Sequence, residues 1–125
     1  EHDNVISITA AARELAHDVH VDSIAVFTQT GRTARIMSKV TPHVPIMAFT
    51  PNERTYHMMN MYWDVIPMLV PHASNLEEML MHVNMAVLAT QAYKEGQQVV
   101  VVSSIPVGEV LPPNFAMLHE IRKPV

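Results

Sequence analysis

Cysteine is absent from the 125 residues. That excludes a disulfide framework and any thiolate metal site, and it is compatible with a reducing compartment. Glycine is scarce, with three residues, so few positions can take left-handed backbone without strain. Charge is thin as well: 16% of residues are charged and the net charge is −4. Such a balance argues against nucleic acid or an anionic membrane as the main partner. No long apolar run and no signal peptide is present, so no membrane partner and a cytoplasmic location are expected. What is plentiful is apolar side chain, 49% of the chain. A chain of this length and composition reads as one domain over 1–125, with an ordered core about residues 4–122 and frayed ends.

Hydrophobic periodicity divides the chain into helices alternating with short β-branched runs. Val5, Ile8, Ala11, Ala12, Leu15, Ala16 and Val19 recur at spacings of three and four, which predicts a first helix capped by Asp3 or Asn4. A strand over 24–27 leads into a polar turn over 28–33 around Gly31. A helix over 34–40 follows, stopped by Pro42. A second strand covers 46–49, and Thr50, Pro51 and Asn52 then feed a helix over 54–61. The third strand, 65–70, contains Pro67, which cannot donate to a ladder and so marks a sheet edge. Ser74 or Asn75, with Glu77 and Glu78 behind it, starts a helix that runs through Tyr93 to a stop at Gly96. Four consecutive valines lie within the next strand, 98–103, which predicts burial on both faces. An irregular proline-rich loop over 104–114 precedes a last strand over 115–121. Alternating helices and strands imply a parallel sheet covered on both faces. The last strand follows with no intervening helix, so it is expected antiparallel.

The sharpest local feature is Thr28-Gln29-Thr30-Gly31-Arg32-Thr33, set between a strand and a helix. A helix N-terminus offers unpaired N–H groups and partial positive charge. Three hydroxyls, a glycine permitting close approach and an arginine capable of bidentate contact add to it. That chemistry suits a phosphate, sulfate or carboxylate; simple capping by Thr30 or Thr33 is the alternative. The pattern is not a Walker loop. Eight histidines are present, with His17 and His20 near a helix end, yet no ligand spacing occurs and no metal site is expected. Met58, Met59 and Met61, and Met79, Met81 and Met85, read as core packing rather than an adaptable contact surface. Tyr56, Tyr62 and Trp63 are expected to pack where the third helix meets the third strand. Ser103 and Ser104 follow the valine run, but no acid, base and nucleophile set accompanies them, so no catalytic residue is expected.

Longer stretches carry a family likeness. Ile24-Ala25-Val26-Phe27-Thr28-Gln29-Thr30-Gly31-Arg32-Thr33-Ala34-Arg35 is similar to a strand and phosphate-loop segment. Ser38-Lys39, Pro42 and Val44-Pro45-Ile46-Met47-Ala48-Phe49-Thr50 follow in order. Tyr62-Trp63-Asp64-Val65-Ile66-Pro67 is similar to a W/Y-x-G-V-x-P step, with Asp64 in the glycine position. Gly96-Gln97-Gln98-Val99-Val100-Val101-Val102-Ser103 resembles K-G-D-x-V-V, and Ile105-Pro106-Val107-Gly108 resembles G-x-P-x-G. Asn114 falls at a T-N step, with Pro113 in place of Thr. In this order and spacing, over roughly residues 4–122, the chain resembles the C-terminal domain of the pyruvate kinase family.

The resemblance implies a three-layer α/β/α sandwich with a five-stranded, mostly parallel sheet of order 3-2-1-4-5 and an antiparallel fifth strand. Pyruvate kinases transfer the phosphoryl group of phosphoenolpyruvate to ADP in glycolysis. The resemblance places their catalytic residues, magnesium and potassium in a separate barrel domain. For this domain it implies no cofactor, a homo-tetrameric parent and an effector site at the 28–33 loop, over which the 104–114 loop closes. These loops flank the switch point of such a sheet, where ligands bind. Thr28, Gln29, Thr30, Gly31, Arg32 and Thr33 are therefore the expected phosphate ligands, with His82, Gly108 and Asn114 as further candidates. His82 and Asn75 stand where family members that bind fructose 1,6-bisphosphate have Arg and Trp, and Glu109 would repel a second phosphate. A monophosphate (AMP, or a hexose or pentose monophosphate) or no effector is expected. The alternative functions are a structural module of the tetramer interface and a stand-alone protein without effector binding. A stand-alone enzyme using the same pocket has no flanking acid–base pair to support it.

Overall fold

The computed structural model describes residues 4–41, 43–90, 94–104 and 112–123. Nine elements follow in the order α1 (Asn4–Val19), β1 (Ile24–Phe27), α2 (Arg32–Val40), β2 (Ile46–Thr50), α3 (Glu53–Met59), β3 (Val65–Leu69), α4 (Leu76–Thr90), β4 (Gln98–Ser103) and β5 (Phe115–Glu120). The strands form one sheet of order β3-β2-β1-β4-β5. Its first four strands are parallel, and β5 runs antiparallel to β4 with Val101 opposite Met117.

Alternation along the strands separates two cores. Ile24, Val26, Ile46, Ala48, Val100 and Val102 face Ala12 and Ala16 of α1, Ala34 and Met37 of α2, and Met59 of α3. Ala25, Met47, Phe49, Val99 and Val101 face Val83, Ala86 and Val87 of α4. The crossovers through α2 and α3 advance the sheet one way, and α4 reverses that direction. Right-handed connections therefore put α4 on the opposite face. The layers are α/β/α, and β1 and β4 are enclosed on both sides, which is why their sequences are apolar without alternation. Pro67 lies in β3, an edge strand, as its missing N–H requires.

Helix starts follow their capping chemistry. The Asn52 side chain accepts from the Thr55 N–H at 3.0 Å and starts α3. Ahead of α4, the Asn75 side chain accepts from the Glu78 N–H at 2.9 Å, while the Glu78 carboxylate accepts from the Ser74 N–H at 2.9 Å. This reciprocal pair closes both backbone donors.

Several expectations change. α2 begins at Arg32 rather than residue 34, because Gly31 at φ 87° caps it and Gly31 O accepts from Arg35 N–H at 3.0 Å. Helix α4 is described as far as Thr90, with 91–93 outside the described residues, and Gly96 (φ 81°) lies in a turn in which Gln97 N–H donates to Lys94 O at 3.0 Å. The expected stops and loop residues Pro42, Tyr93 and Gly108 lie outside the described residues. The methionines divide: Met59 and Met79 are buried, while Met58, Met61, Met81 and Met85 are exposed. Trp63, expected to pack between α3 and β3, is 79% exposed. Asp64, in the resemblance's glycine position, has φ 58°.

Candidate anion site

A cleft of about 240 Å³ opens at the carboxyl ends of the parallel strands, next to the β1–β4 switch point. Its polar side comes from the end of β1 and the start of α2: Thr28, Gln29, Thr30, Arg32 and Thr33. Val70, Pro71, His72 and Ala73 enter after β3, and Ser103 and Ser104 from the end of β4. Phe27 and Phe49, neighbours in register, stack with ring centroids 4.7 Å apart and give the cleft an aromatic wall.

The loop geometry follows from three threonines and one glycine. Thr28 N–H donates to Phe49 O at 3.0 Å and extends the β1–β2 ladder by one step. Thr28 Oγ1 then accepts from Gly31 N–H at 2.9 Å, and Thr30 Oγ1 accepts from Arg32 N–H at 3.3 Å. The residue that caps α2 is Gly31, with no side-chain cap hydrogen bond, and the Thr30 contact is a local turn bond ahead of it. Thr33, one residue into α2, is different. It is 6% exposed, it lines the cleft, and its hydroxyl has no hydrogen-bond partner among the described residues. The Thr30 N–H likewise has no acceptor among them. A hydroxyl that opens on the cleft without a protein partner is available to donate to a ligand oxygen there.

The electrostatics agree in sign. No Asp or Glu is among the described residues that line the cleft, while Arg32 supplies a cation and His72 an imidazole. The N-terminal end of α2 adds partial positive charge. For covalent chemistry the same lining is poor: Ser103 directs its hydroxyl to the Met79 thioether at 3.9 Å rather than to a base. No cluster of three or more His, Asp or Glu able to hold a metal occurs among the described residues.

Of the residues expected from sequence, Thr28, Gln29, Thr30, Arg32 and Thr33 come together at the cleft. Gly31 is not in its lining. A Cβ placed on it would meet Met58 Cε at 2.8 Å and Met59 Cγ at 3.4 Å, so the close approach that glycine permits is to α3. His82 lies half-buried on α4, and Asn114 is exposed with its N–H donating to Ser103 O at 3.0 Å. Neither is among the lining residues, and Gly108 and Glu109 lie outside the described residues. Sequence reasoning missed His72 and the Phe27–Phe49 wall. The signal was available in the parallel order of the strands, which brings the residues after β3 and the ends of β1 and β2 to one rim.

The fold and the cleft define a doubly wound α/β domain with a candidate ligand site at its switch point. Comparison with known proteins narrows this class. A model of the pyruvate kinase alpha/beta domain matches residues 6–119, and the chain belongs to that family. It is 30% identical over 112 residues to a pyruvate kinase of Corynebacterium glutamicum, covering 90% of this chain and 24% of that protein. It is 29% identical over 114 residues to a pyruvate kinase of Mycobacterium tuberculosis, covering 91% and 24%. A crystal structure of a pyruvate kinase from Cryptosporidium parvum superposes with a TM-score of 0.82 at 20% identity, over 98% of this chain and 23% of that one. The chain therefore spans about a quarter of the length of these relatives.

Proposed function

We propose that this chain is the regulatory, non-catalytic domain of a pyruvate kinase and that the 28–33 loop binds one phosphate of a small effector. The parent enzyme would carry phosphoryl transfer, with its magnesium and potassium, in its barrel domain. The observation that carries the reading is Thr33, a buried residue at the start of α2 that lines a cleft free of described carboxylates and whose hydroxyl has no partner among the described residues. An oxygen of a phosphate could accept from it, from the Thr30 N–H and from the exposed N–H groups of the first helical turn. Arg32 adds charge. The small cleft, with an aromatic wall beside a single cluster of donors, favours a monophosphate such as AMP or a pentose or hexose monophosphate over fructose 1,6-bisphosphate.

Calorimetric titration of these compounds tests the reading. Binding of a monophosphate that is lost in the Arg32→Ala, Thr33→Ala double variant supports it. Binding that is unchanged in that variant removes the site.

A second reading is supported by β5, which pairs with β4 on one side only among the described strands. Such an edge could pair with a symmetry mate and make the domain a tetramer-interface module. Sedimentation of the chain distinguishes the two, because a strict monomer at high concentration weakens the interface reading.

A further inference from the structure

Behind the anion loop stands α3, and one contact joins them. Thr55 sits in the first turn of α3, 7% exposed, with its N–H fixed by the Asn52 side chain at 3.0 Å. A helical threonine commonly returns its hydroxyl to the carbonyl three or four residues back. Thr55 instead donates to Gln29 O at 2.7 Å, across 26 residues of sequence. Beside it, Gly31 packs against Met58, Met59 and Thr55, where a Cβ would have to displace the flexible end of Met58 and sit at φ 87°.

The direction of that bond matters. In a trans peptide the C=O and the following N–H point opposite ways. Turning the Gln29 carbonyl towards α3 therefore turns the Thr30 N–H away from α3. That N–H has no acceptor among the described residues, and Thr30 lines the cleft.

We infer that Thr55 is the positioning residue of the anion site: it latches the 28–33 loop to α3 and aims the Thr30 N–H at the ligand. The inference rests on the reading that this loop takes a phosphate. Thr55 itself does not touch the ligand; it is absent from the cleft lining. The α3 seat thereby becomes a determinant of affinity at a site to which α3 contributes no ligand.

Thr55→Val keeps the branched shape and removes the donor, while Thr55→Ser keeps the donor. With inorganic phosphate as the probe, Thr55→Val is expected to bind about fivefold more weakly and Thr55→Ser within about twofold of wild type. In the ligand-free chain, the Gln29 carbonyl carbon resonance is expected to move in Thr55→Val and to stay in Thr55→Ser. Should Thr55→Val melt below the assay temperature, Thr55→Ala carries the same comparison. Wild type that binds phosphate, with Thr55→Val binding equally well, overturns the latch and leaves the site standing. Wild type that binds no phosphate overturns the reading of the loop, and the positioning role with it.

Discussion

Thr33 separates folding from binding within one side chain. Its hydroxyl has no partner among the described residues and belongs to a residue lining the cleft, so removing it breaks no hydrogen bond of the fold. Thr33→Val should leave the melting temperature nearly unchanged while weakening phosphate binding. Asp64 makes the converse case. Its φ of 58° lies where a side chain is strained, and its carbonyl accepts from Ile46 N–H at 3.0 Å, which holds it there. Asp64→Gly is expected to stabilise the chain by about 0.5–1 kcal/mol in denaturant unfolding. His119 provides the pH handle. Burial, and then the nearby Arg122 cation, hold its pKa below the ordinary histidine value of 6.5, against a smaller upward pull from Glu120. Its Nε2 lies 2.7 Å from Asn84 Oδ1, which also accepts from Arg122 N–H at 3.4 Å, so the ring nitrogen is the donor. The folded chain resists a proton that the unfolded chain accepts. Stability from this group is full above pH about 6.5 and falls as pH drops towards the folded value. Unfolding measured at about pH 7.5 and about pH 5.5 should show a larger loss for wild type than for His119→Gln.

At the scale of elements, the parallel strands and their ends were legible because buried strands require continuous β-branched runs, as at 99–102. Pro67 marked the β3 edge for the same physical reason that confined it there. The start of α2 was less legible, since its first two residues, Arg32 and Thr33, are polar and add nothing to the apolar periodicity. Within the loop, the residue types suggested anion chemistry, but the partner of each threonine depends on geometry. Thr28 and Thr30 are occupied by local N–H groups, and Thr33 is not. The Thr55 contact crosses 26 residues and leaves no local trace. Caps, by contrast, are local: Asn75→Ala should cost about 1 kcal/mol by loss of the Glu78 N–H acceptor, seen as a lower melting temperature and faster amide exchange at Glu78.

For the whole molecule, composition told little about which apolar residues face outward. Met61 is 86% exposed and Trp63 79%, beside the β3 edge, and Met81 and Met85 lie on the outer side of α4. Periodicity counts such residues as core, because spacing records which residues share a face and not whether that face is covered. The chain spans about a quarter of its relatives' length. Whether it binds is decided most directly by amide NMR of the chain titrated with AMP and, in parallel, with inorganic phosphate. The account predicts saturable shifts centred on Thr30, Arg32 and Thr33, abolished in the Arg32→Ala, Thr33→Ala double variant. Shifts that saturate elsewhere on the domain, or none at all, would contradict it.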